Sequence, residues 1–167
     1  MAKVVTLGIT TISFAPIAGD GGAGTVFTAV ESTKKDSAEM TQDDPTRTEL
    51  REEESDSPYY VSVVNGAISF KFTFAQPDVN ALALVFGGSV TAGPPASWEL
   101  PDGYQSIEKT VKIVPRVGLQ FLIPRAQVTA KMNGKFGTTD SWGVEVTISI
   151  LTPTKAGTKA LKVTNPT

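Results

Sequence analysis

Apolar and polar side chains alternate most clearly between residues 66 and 88. Ile68, Phe70, Phe72 and Phe74 share one parity, and Ser69, Lys71 and Thr73 share the other. That period of two predicts a strand with one buried face. Beyond Pro77 the period changes, and Val79, Leu82 and Phe86 recur at helical spacing. Pro77 suits a first helical position, Asp78 favours the positive helix start, and Gly87-Gly88 suits the stop. The pattern predicts one short helix over about residues 77–87, roughly 15 Å long, lying on or capping a sheet made by most of the remaining chain. Ile68, Phe70, Phe72, Phe74, Leu82 and Phe86 are core candidates.

The same reading extends along the chain. Val4–Phe14 and Thr25–Thr33 read as a strand pair joined through Gly19–Gly24. Residues 34–57 form a long polar and acidic stretch, with room for a short strand in its first part. Thr46–Glu54 is read as a strand because its surroundings are β-prone. Tyr59–Val64 is strongly β-prone, and Asn65-Gly66 predicts a tight hairpin joining it to the Ile68–Phe74 strand. Residues 91–105 hold Pro94, Pro95, Pro101 and Trp98 and read as an excursion without elements. Ile107–Val114 alternates. Leu119–Ile123 and Gln127–Met132 read as one strand bent at Pro124, or as two. Val144, Val146, Ile148 and Ile150 alternate with Glu145, Thr147 and Ser149, which adds Val146 and Ile148 to the expected core. Thr158–Val163 suits a last edge strand. The expected fold is mainly β, an antiparallel sandwich or barrel with one flanking helix, in a single domain spanning 1–167.

Composition narrows the chemistry. The 167 residues are 40% hydrophobic, enough for a real core. A formal net charge of -2 argues against an open basic surface for nucleic acid. There is no cysteine and no histidine. Disulfides, thiolate chemistry, Ser-His-Asp catalysis and the common zinc sites are therefore excluded. The chain is expected not to be an enzyme and to carry no cofactor or metal. Its opening residues show no signal peptide, and its longest apolar run, Ala81–Phe86, is too short to span a bilayer. The expectation is synthesis in the cytoplasm without membrane insertion.

Three motifs have competing readings. Gly19, Gly21 and Gly24 match G-x-G-x-x-G, but a strand pattern follows where a dinucleotide site needs a helix. Glu49, Glu52, Glu53, Glu54 and Asp56 form an acidic cluster, readable as a solvated face, as carboxylates for glycoside hydrolysis, or as a wall that repels a passing polyanion. Calcium-loop spacing is missing. Trp98, Tyr104 and Trp142 are compatible with a sugar-binding surface or with core and interface anchors. Lys34, Lys35, Arg47 and Arg51 suit salt bridges with a neighbour's acids better than a nucleic-acid track.

The order of signals resembles the tail tube (major tail) proteins of long-tailed bacteriophages, which are related in fold to type VI secretion tube proteins. Three stretches carry the resemblance: Ser32–Thr41 running into Thr46–Leu50, Asn65–Phe74 leading to Pro77–Gly88, and Trp142–Pro153. Ala92–Pro101 departs from the pattern. The resemblance implies a structural virion protein assembled in the host cytoplasm. It implies hexameric rings stacked into a hollow tube, through which DNA is ejected without specific binding. Tape-measure, terminator and initiator proteins would be partners. Glu49, Glu52 and Glu54 become candidate lumen acids, and Asp36, Glu39, Met40 and Asp43 candidate contacts between rings or subunits. Two other classes compete: a carbohydrate-binding β-sandwich on a particle surface, and a carboxylate hydrolase.

Overall fold

The computed structural model describes residues 3–30, 32–139 and 141–166. Its largest unit is an antiparallel sheet. Strands β1 (Leu7–Ala15), β2 (Thr28–Val30), β3 (Glu39–Gln42), β6 (Ile68–Phe74), β9 (Ile107–Val117), β10 (Gln120–Asn133) and β11 (Gly143–Ile150) run in the order β2-β1-β9-β10-β11-β6-β3. A short strand, β12 (Lys162–Thr164), pairs with the first residues of β10. Two hairpins stand apart from this sheet: β4 (Thr46–Arg51) with β5 (Pro58–Val64), and β7 (Ser89–Thr91) with β8 (Ser97–Glu99). The one helix among the described residues, α1 (Val79–Phe86), follows β6.

Alternation explains the core. Phe70, Phe72 and Phe74 of β6, Val144, Val146 and Ile148 of β11, and Ile12 and Phe14 of β1 are all buried in one cluster. Ile68 is half-buried. Because the inner faces of β1 and β6 share this cluster, the sheet wraps around its own side chains instead of lying flat. α1 closes the remaining side against β10, with Val85 fully buried and Leu82, Leu84 and Phe86 half-buried. Helical periodicity thus located the helix but underrated Val85.

Local chemistry sets the helix ends. Asp78 is the N-cap, its carboxylate accepting the Ala81 N–H at 2.7 Å, so Pro77 lies just before the helix and not at its first position. Gly87 ends it at φ +74°, with its N–H donated to the Ala83 carbonyl at 2.9 Å. A left-handed exit of this kind suits glycine.

Two ends of the wrapped sheet differ. Past β2 the chain turns at Ser32, φ +75°. It then joins β6, where the Ala75 N–H donates to the Ser32 carbonyl at 2.7 Å and the Lys34 N–H to the Thr73 carbonyl at 2.8 Å. This crossing draws the β1 and β6 sides together at one end. Toward the other end, Leu7 and Ile9 of β1 pair only with β9, and β3 pairs only with β6, among the described residues. The barrel does not close, and an open seam separates β1 from β3.

Several sequence expectations change. β5 does not form a hairpin with β6. It pairs with β4 across residues 52–57. Alternation marks a strand but not its partner, and Asn65-Gly66 is the root of the projecting hairpin. The chain crosses itself there so closely that a Cβ on Gly66 would sit 1.8 Å from the Asp43 carbonyl oxygen. The 91–105 excursion carries strand after all, since β7 ends and β8 forms within it. The second strand is only Thr28–Val30, and Glu31, part of the expected run, lies outside the described residues. β10 is one strand, with its register shifted between Ile123 and Ala126, around Pro124. The short strand expected in the first part of 34–57 is β3.

Candidate functional site

The β4–β5 hairpin is an arm. Each of its strands packs substantially only against the other. Directly paired residues share a face, so Leu50, Tyr60 and Val64 lie on one side and Arg47, Glu49, Val61 and Val63 on the other. Both sides are wet: Tyr60 is 54% exposed, Val63 59% and Val64 64%. A two-stranded ribbon with no sheet or helix behind it is marginally stable alone. Ion pairing supports this one, since Glu49 is held between Arg47 and Arg51, each at 2.7 Å. The hydrogen bond from Arg51 holds the Glu49 carboxyl below the usual carboxylate range.

Glu49 therefore belongs to β4, whereas Glu52 and Glu54 lie in the turn at the arm's tip, beside Glu53 and Asp56, all exposed. The three candidate lumen acids share the arm but not a strand face. Of the candidate contact residues, Asp36 sits in the turn before β3 at φ +58°, and Glu39 and Met40 are on β3. Asp43 is at the arm root, its N–H donated to the Ala67 carbonyl at 3.0 Å.

Along the open seam runs a groove of about 760 Å³, a size that takes a small molecule or a few side chains. Ile9, Met40, Phe70 and Phe121 line it with apolar surface. Among its described lining residues, Lys34, Lys35 and Arg116 are basic and Asp36 is acidic. This groove was not legible in the sequence, because its walls come from segments about a hundred residues apart.

The aromatic candidates do not form one surface. Trp98 donates its indole N–H to the Gly87 carbonyl at 2.9 Å and packs on Phe86, so it anchors the β7–β8 hairpin to the helix end. Tyr104 accepts a hydrogen bond from the Gln127 side-chain amide at 3.1 Å. Trp142 lies parallel to Phe136, with centroids 6.3 Å apart, and Phe136 is 92% exposed.

The glycine motif is a pinned loop. Gly21 accepts from the Lys155 N–H at 3.3 Å, and Asp20 forms an ion pair with the Lys155 ammonium at 2.6 Å. Gly24 donates its N–H to the Thr110 hydroxyl at 2.8 Å, and that hydroxyl donates to the Pro124 carbonyl at 2.7 Å. β2 follows shortly after, and no helix stands where a dinucleotide phosphate would need one. Among the described residues no group of three or more acidic side chains is arranged to hold a metal ion. No described helix is long and apolar enough to cross a membrane.

These features define a class: a wrapped, unclosed antiparallel sheet carrying a projecting ribbon. No protein-family model matches the chain, and no curated protein matches it.

Proposed function

We propose that this chain is a structural subunit that assembles with copies of itself, in the manner of a bacteriophage tail tube protein. The observation that carries this reading is the β4–β5 arm, which exposes Leu50, Tyr60, Val63 and Val64 and packs substantially against no other element among the described residues. The seam adds support, because unpaired strand edges are templates for another chain. The chain's lack of histidine and cysteine fits a mechanical role. The test is to image the protein by negative stain across a concentration series, beside a variant with residues 46–64 replaced by a short Gly-Ser linker. Rings or tubes from the full chain alone support the reading. A strict monomer at every concentration and salt would sink it.

The Phe136–Trp142 stack favours a second reading, a glycan-binding module, because the exposed Phe136 ring, backed by the half-buried Trp142, offers a flat aromatic face to a sugar ring. Titration with glycans while following tryptophan fluorescence tests it; no change in signal removes it.

A further inference from the structure

The arm and the seam groove have opposite charge. The tip carries Glu52, Glu53, Glu54 and Asp56, all exposed, and none has a basic partner among the described residues. Among the described residues the groove is lined by Lys34, Lys35, Arg116 and Asp36; Lys34 has an interaction of its own, and neither Lys35 nor Arg116 is in an ion pair, so the positive charge on offer is theirs. Apolar surface lies behind the charge on both sides. Leu50 and Tyr60 follow the tip along the arm, and Ile9, Met40 and Phe70 line the groove. The arm of one chain does not fill its own groove, since it makes no substantial contact with β1, β3 or β9.

We propose that the groove is the receptor for the arm tip of a second copy of this chain. This inference rests on the self-assembly reading and adds to it which two surfaces meet. The tip's carboxylates approach Lys35 and Arg116, and Leu50 and Tyr60 come onto the apolar lining. A volume of about 760 Å³ suits a tip and not the whole ribbon. Because the two patches differ, the contact is head-to-tail. It leaves one free tip and one free groove on every pair, so growth continues until a ring closes or a filament forms. Oppositely charged patches also steer encounter, and that steering weakens with salt.

Charge reversal of exposed groups tests this with the full chain. E52K/E54K on the tip, or K35E/R116E on the groove, is expected to raise the concentration needed for assembly at least about tenfold, because like charges facing each other cost several kcal/mol. Both reversals in one chain are expected to restore assembly. Circular dichroism and melting check that every variant folds. A disulfide assay adds an independent readout, since the natural chain has no cysteine. A mixture of E54C and K35C chains is expected to cross-link well ahead of a mixture of E54C and K159C chains. If the natural chain assembles but single reversals assemble as it does, or the two mixtures cross-link equally, the tip-in-groove contact is wrong and self-assembly stands. A natural chain that never assembles removes both.

Discussion

Phe14 and Phe72 place their ring centroids 6.5 Å apart, although β9, β10 and β11 lie between their strands in the sheet. In a flat sheet, four steps of about 4.8 Å would separate same-face side chains by roughly 19 Å. The sheet must therefore curl until β1 and β6, second and penultimate in its order, face each other. Phe72 is the centre of that closure, with Phe70 at 5.8 Å and Phe74 edge-on at 5.0 Å. Phe72→Ala should cost about 3–5 kcal/mol, as other buried phenylalanine truncations do. Urea titration followed by far-UV circular dichroism measures it.

Thr110 is a buried polar residue whose hydroxyl joins the glycine loop to the bend of β10. Thr110→Val keeps the shape and removes both bonds. The Gly24 N–H and the Pro124 carbonyl then lose a partner, at a cost of about 1–3 kcal/mol. Thr110→Ser should recover most of this. Thermal denaturation of the three proteins gives the comparison.

Gly66→Ala should disturb the arm root more than the sheet. The added Cβ meets a backbone carbonyl, Asp43 O, which has no free rotation to escape. Overpacking of this kind costs about 1–3 kcal/mol. Hydrogen exchange should show faster opening of β4 and β5 amides, with β10 and β11 unchanged.

Tyr60→Thr with Val64→Lys on the arm should leave stability within about 0.5 kcal/mol, because both positions are exposed and, among the described elements, substantially packed only against β4. Sedimentation should nonetheless show weaker self-association. Equal loss of fold and assembly would mean the arm is part of the core.

Four carboxylates carry acid sensitivity, and one is Asp20, held below the usual carboxylate range by its hydrogen bond from Lys155. Hydrogen bonds from Arg125 hold Glu108 below the usual carboxylate range, and those from Lys131 and Arg51 do so for Glu145 and Glu49. A depressed folded-state pKa gives stabilisation that is complete above the unfolded value, about 4.3 for glutamate. It is lost as pH falls from there through the folded value. Melting temperature should be nearly flat above about pH 5 and fall below that value. Glu108→Gln, which breaks the paired contacts to Arg125 at 2.8 and 3.0 Å, should make that fall shallower. Each pair is at the surface, so each share is small.

By itself the sequence determined the elements whose signal is local. The Ile68–Phe74 and Val144–Ile150 strands follow from alternation, and α1 from a change of period bounded by Asp78 and Gly87. Only the tertiary structure decided which strands pair. Tyr59–Val64 has the same alternation whether it meets β4 or β6, and Asn65-Gly66 serves a hairpin turn and a strand crossing equally well. The seam groove was likewise beyond the sequence, because Ile9, Lys35 and Arg116 meet only after the sheet curls. Periodicity reports which face of a strand is dry, and long-range contact decides what that face is dry against.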